Sequence, residues 1–94
     1  MSGRRLWERV KAAALKQPEP LPGVPLVEIA GANRVLIEQH KGVLLYEPKR
    51  ICVRTGTGEI DICGENLMLT QMSGSQVVIT GKISAVELQN RRRA

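Results

Sequence analysis

Polar and apolar residues alternate through most of this chain. From Ile51 to Leu69, apolar residues fall at 51, 53, 60, 62, 67 and 69, with turn-forming residues between the three pairs. Alternate side chains of a strand point to opposite faces, so each pair marks one face of a short strand. Cys52, Arg54, Glu59, Asp61 and Cys63 fall on the other face. The same period of two runs from Leu26 to Leu88 and predicts eight short strands, at 26–30, 34–39, 43–47, 50–55, 59–63, 66–71, 76–80 and 82–88. Turn signals fall at 31–33, at 40–42 with Gly42, at 48–49, at 55–58 with Gly58, at 64–65 with Gly64, at 73–75 and at Gly81. Short connections favour antiparallel neighbours, because parallel strands need long crossovers. The expected fold is all-β, a small antiparallel sandwich or roll, with the first and last strands as its edges. An echo of apolar-x-Gly at Ile29-x-Gly31, Ile62-x-Gly64 and Ile79-x-Gly81 raises a short β-solenoid as the alternative.

The 50–63 hairpin has two registers that keep its apolar face intact. Val53 faces either Ile60, which sets Cys52 opposite Asp61 and Arg54 opposite Glu59, or Ile62, which sets Cys52 opposite Cys63. The first pairs charges slightly better, but pattern alone does not choose.

The period differs at the start of the chain. Residues 2–16 read as a helix, capped by Ser2 and favoured by three consecutive alanines. Leu6, Val10 and Ala14 form one stripe with Trp7 beside it, and Arg4, Arg5, Arg9 and Lys11 crowd the other face. Pro18 ends the helix, and Pro18, Pro20, Pro22 and Pro25 make residues 18–25 a stiff strap. The expected organisation is a basic amphipathic helix at 1–17, a proline-rich linker at 18–25, a β-domain at 26–88 and a basic tail at 89–94.

Composition sharpens this. Ninety-four residues make one domain with a thin core, and one Trp, one Tyr and no Phe leave that core to aliphatic residues. The net charge of +5 is uneven: residues 1–17 carry +4, residues 91–93 carry +3, and the stretch between carries −2. A mildly acidic body disfavours a nucleic-acid face. The basic ends suit diffuse attraction to anionic surfaces, and Leu6, Trp7 and Val10 above Arg4, Arg5 and Arg9 suit a membrane surface, a partner or the sheet itself. Two cysteines and the lack of a signal-like leader imply a reducing cytosol. No segment approaches the ~20 apolar residues of a membrane span.

Catalytic chemistry is hard to place. His40, Cys52 and Cys63 are the only soft metal ligands in the chain, too few and too scattered for a zinc site. His40 sits in a turn signal with no acid partner in view. Thr55-Gly56-Thr57-Gly58 lacks the Lys-Ser/Thr of a phosphate loop and reads as a hairpin turn. The expectation is no enzyme, no metal and no cofactor.

The order of motifs from His40 onward resembles the YabP/YqfC family of small sporulation proteins, most nearly its YqfC branch. The pieces are Glu38-Gln-His40-Lys-Gly42-Val-Leu-Leu-Tyr46, then Ile51-x-Val-x-Thr55-x-x-Gly58-Glu-Ile-x-Ile62-x-Gly64-x-x-Leu67-x-Leu69, then Val77-x-Ile79-x-Gly81-x-Ile83. The resemblance implies a non-enzymatic role in endospore formation, in the mother-cell cytoplasm, through protein contacts. It implies the membrane-bound sporulation protein YqfD as a partner, and it transfers no catalytic residues. Self-association through unpaired edges is a further expectation, and a peripheral membrane adaptor using the basic helix is the alternative.

Overall fold

The computed structural model describes residues 24–90. The predicted helix with Arg4, Arg5, Leu6, Trp7, Arg9 and Val10, most of the proline strap and the three-arginine tail lie outside the described residues.

Six strands form one antiparallel sheet: β1 Leu26–Ala30, β2 Arg34–Glu38, β3 His40–Glu47, β4 Arg50–Thr55, β5 Gly58–Met72 and β6 Gln76–Asn90, in the order β1-β2-β6-β5-β4-β3. The all-β expectation holds, with six strands where eight were expected. The strands expected at 59–63 and 66–71 are one strand, as are those at 76–80 and 82–88. Gly64 and Gly81 are therefore not turn residues. They lie where β5 and β6 cross closely. A Cβ on Gly64 would overlap the carbonyl oxygen of Lys82, and one on Gly81 would stand 2.6 Å from the carbonyl oxygen of Asn66. Gly42 is likewise inside a strand, at an irregularity of β3 with φ +133°, and the β2–β3 connection is Gln39 alone, at φ +64°. Gly58, at φ +152°, does close the two-residue Gly56–Thr57 turn, as expected.

That turn decides the register. Thr55 Oγ1 accepts the Thr57 N–H and donates to the Gly58 carbonyl, so Thr55 pairs with Gly58 and Val53 falls opposite Ile60. A hairpin's register follows from its loop length, which the burial pattern could not supply.

A flat single sheet would leave both faces wet. Here Val35 and Ile37 of β2 share one fully buried cluster with Ile51 and Val53 of β4, although β6 and β5 stand between those strands. The sheet therefore curls until the inner faces of its two hairpins meet. Ile60, Ile62, Leu67, Val77 and Ile79 complete the cluster, with Leu69 packed against it. The expectation that alternate neighbours stay wet fails at Cys52 and Asp61, which are 5% and 3% exposed.

The two halves correspond element for element. Hairpin β1–β2 lies beside the first part of β6, and hairpin β3–β4 beside the first part of β5. Arg34, Val35, Leu36 and Ile37 face Thr80, Ile79, Val78 and Val77, while Arg50, Ile51, Cys52 and Val53 face Cys63, Ile62, Asp61 and Ile60. Beyond each pairing, the hairpin turn takes over. Asn33 and Ala32 carbonyls accept the Gly81 and Ile83 N–H groups, and Lys49 and Pro48 carbonyls accept those of Gly64 and Leu67. One extra residue in β5, near Asn66 at φ +52°, accounts for the longer step on that side. The Ile-x-Gly echo at 62–64 and 79–81 thus marks two sides of one antiparallel crossing. The solenoid alternative is wrong, because the repeats face each other instead of stacking. The last strand, expected as an edge, is one in part: residues 76–80 of β6 lie between β2 and β5, residues 84–90 pair with β5 alone, and the outermost strands of the sheet are β1 and β3.

Candidate interaction surfaces

The residues with chemical potential are engaged in structure. His40, expected in a tight turn, is 7% exposed at the start of β3. Its Nδ1 accepts the Gly42 N–H at 3.0 Å, which leaves the proton on Nε2, and Nε2 donates to the Ser73 carbonyl at 2.8 Å. Both ring nitrogens are used, and the ring fastens β3 to the β5–β6 turn. Ser75 reinforces the junction by accepting the Gln39 N–H at 2.6 Å.

On the outer face, Asp61 collects the polar groups around it. Arg50 donates from Nε and Nη2 to its Oδ1 at 3.0 and 2.9 Å, and Gln89 donates to its Oδ2 at 3.0 Å. The hydrogen bond and charge of Asp61 raise the pKa of Arg50. Burial first, then the negative charge of Asp61, pushes the Cys52 thiol up to about 11. Its Sγ lies 3.9 Å from Glu59 Oε2, as a weak donor. A protonated thiol is a poor nucleophile and a poor metal ligand. Cys52 and Cys63 are both free, and no metal-holding group of His, Cys, Asp and Glu occurs among the described residues. None of the described residues forms a helix long and apolar enough to cross a membrane.

What the body presents is edges and seams. Curling the sheet brings each edge strand near the free side of a long strand. Among the described residues, the 66–72 part of β5 has a strand partner only in β6, and the 84–90 part of β6 only in β5. On the β3 side, Tyr46 spans the seam: it pairs with Ile51 on the inner face, and its hydroxyl accepts the Leu69 N–H at 3.1 Å. The corresponding β1 residue is Ile29, opposite Val35. Ile29 has no polar tip and is 54% exposed. Two residues back along β1, Val27 lines a groove of about 1020 Å³ together with Val24, Ile60 and Leu88, with Glu59 and Asn90 among its polar lining.

The two edges also differ in protection. β3 carries two register irregularities and a lysine, features that discourage strand addition. β1 pairs with β2 in unbroken register and exposes Leu26 and Ile29. The sequence reading named β1 as an edge but missed β3 and the groove. Nothing along the chain shows which strands the curl brings together.

A model of the YabP family matches residues 24–94. The chain is 23% identical over 69 residues to a Bacillus subtilis (strain 168) protein called "Uncharacterized protein YqfC", covering 73% of this chain and 74% of that protein. No solved structure matches.

Proposed function

The chain belongs to the YabP family, and from this footing we propose that it is a sporulation protein that works through protein contacts, in the cytoplasm of the mother cell, without catalysing a reaction. Family membership and the ordered motifs that resemble the YqfC branch support the sporulation role. One structural observation carries the contact role. β1 is a regular, exposed, unpaired edge with apolar side chains, beside an open apolar groove. Such an edge accepts an added strand through main-chain hydrogen bonds, and apolar side chains select its partner. The expected partner is the membrane-bound sporulation protein YqfD, and a second copy of this chain is the competing occupant of the same edge.

The test is made in an endospore-forming host that carries this chain. Deleting its gene is expected to lower spore yield while leaving vegetative growth unchanged, and a fluorescent fusion is expected in the mother cell. The tagged protein should co-purify YqfD, and Ile29→Lys on the β1 edge should abolish the association. Normal sporulation in the deletion strain would refute the sporulation role. Co-purification indifferent to Ile29→Lys would refute the edge.

A further inference from the structure

We propose that residues 84–90 of β6 are the seat of a second copy of this chain, paired antiparallel about a two-fold axis at Leu88. The inference is separate from the partner proposed for β1, which this pairing leaves free. As far as Ile83, β6 is held on both sides, by β5 and by β2 with its turn, whose Ala32 carbonyl accepts the Ile83 N–H. Beyond Ile83, among the described residues, only β5 pairs with the strand. The period of two fixes which groups are then free. The Gly64 and Leu67 N–H groups point away from β6, to the carbonyls of the β3–β4 turn. Ile62 and Ile60, in step with Gly64, point theirs the same way, so Asp61 and Cys63 bond toward β6 and the facing Glu87 and Ala85 answer them. Val86 and Leu88 therefore turn their N–H and C=O groups outward. Leu88, at 61%, is the most exposed large apolar residue among those described.

The occupant is a second copy because this edge complements itself. An axis at Leu88 sets Leu88 opposite its own counterpart and Val86 opposite Asn90, pairs that exchange both main-chain bonds. On the outer face it sets Glu87 opposite Gln89. Gln89 gives one amide hydrogen to Asp61 Oδ2 and keeps the other for the Glu87 carboxylate. On the inner face the paired Leu88 side chains lie over the groove that Leu88 shares with Val24, Val27 and Ile60, which supplies the room for them. The other edges do not complement themselves. On β1, an axis at Glu28 opposes two carboxylates. An axis at Val27 sets Ile29 against Pro25, which has no N–H, and one at Ile29 sets Val27 against Gly31, outside the strand at φ +60°. β3 is broken by two register irregularities, and on the 66–72 edge of β5 the Leu69 amide is already taken by Tyr46.

Sedimentation velocity of the full-length protein, without lipid, is expected to show a reversible monomer–dimer equilibrium. Leu88→Lys brings two ammonium groups together at the axis and should abolish the dimer while the far-UV β signal is kept. Gln89→Glu sets a carboxylate opposite Glu87 and should weaken the dimer several-fold, whereas Gln89→Lys should strengthen it several-fold, each change acting twice by symmetry. Ile29→Lys on β1 should leave the dimer unchanged. As the dimer forms, amide exchange should slow at Val86 and Leu88 and at neither Val27 nor Ile29. A monomer alone up to about 1 mM would overturn the proposal. So would growth beyond a dimer, because a two-fold axis closes the assembly. A dimer that survives Leu88→Lys, or that Ile29→Lys dissolves, would place the contact elsewhere and overturn it too. The two Gln89 variants decide the matter if Leu88→Lys fails to fold: equal responses to them would overturn the register and with it the proposal.

Discussion

The β1–β2 half and the β3–β4 half of the sheet share one plan and differ in finish. In both, a hairpin flanks a long strand, its turn carbonyls hold the amides of a glycine and of a residue just past it, and two inner residues complete the core. They differ at two matching places. The outer pair Leu36 and Val78 is apolar in the first half, where the second has Cys52 and Asp61, drawn into a hydrogen-bonded set with Arg50, Glu59 and Gln89. Tyr46 accepts the Leu69 amide across the seam in the second half, whereas its counterpart Ile29 has no polar tip in the first, where Val27 of the same strand lines a groove. Shared features are those the curl needs. The differing ones are free to serve contacts, and the less finished half carries the exposed edge.

The comparison breaks first at what both halves share. Gly64→Ala and Gly81→Ala are each expected to cost about 3 kcal/mol or more, because the added carbon meets backbone on the crossing strand and cannot be accommodated by a side-chain shift. Urea unfolding checks this, and near-neutral values for either would mean the crossing is looser than described. A Gly42→Ala variant, where no atom lies near the new carbon, separates steric overlap from the strain of a positive φ.

Next come features of one half alone. His40→Ala removes two hydrogen bonds and a buried ring, and should cost about 2 kcal/mol in the same measurement. Cys52 gives the β3–β4 half an alkaline sensitivity. Its thiol holds its proton up to about pH 11 in the folded chain, above its ordinary value of 9.0. A raised folded value means stability is full below pH 9 and is lost as pH rises through 11, since only the unfolded thiol ionises in between. Cys52→Ala should flatten that part of the stability profile, and an unchanged slope would assign it to other groups. Tyr46→Phe, the smallest effect, should cost about 1 kcal/mol or less, because it frees a single amide at an exposed site. Its sharper readout is faster hydrogen exchange at Leu69.

Much of this body is legible along the chain. The period of two places Val53, Ile60, Ile62, Leu67 and Ile79 inside, and it bounds β1 and β4 to the residue. What escapes is set by distant partners. Gly64 and Gly81 look like turn glycines because Gly often ends a strand; their true constraint lies on the strand that crosses them, at Lys82 for Gly64 and at Asn66 for Gly81. His40 looks exposed because the carbonyl it bonds belongs to Ser73, 33 residues on. Asp61 and Cys52 look wet because an alternating pattern marks the outer face without showing that Arg50 and Gln89 fold over it. The groove depends on which edges the curl opposes, and no local pattern encodes that.

The account rests on two long strands crossing at their glycines and being held there by the hairpin turns. Hydrogen exchange of the Gly64, Leu67, Gly81 and Ile83 amides, followed residue by residue by NMR, tests that most directly. The account predicts that all four exchange only with global unfolding, as slowly as Ile62 and Ile79 of the core. Exchange of these four at the rate of the 73–75 turn would contradict it, because the turn carbonyls would then not be holding them and the curl would have no fastening.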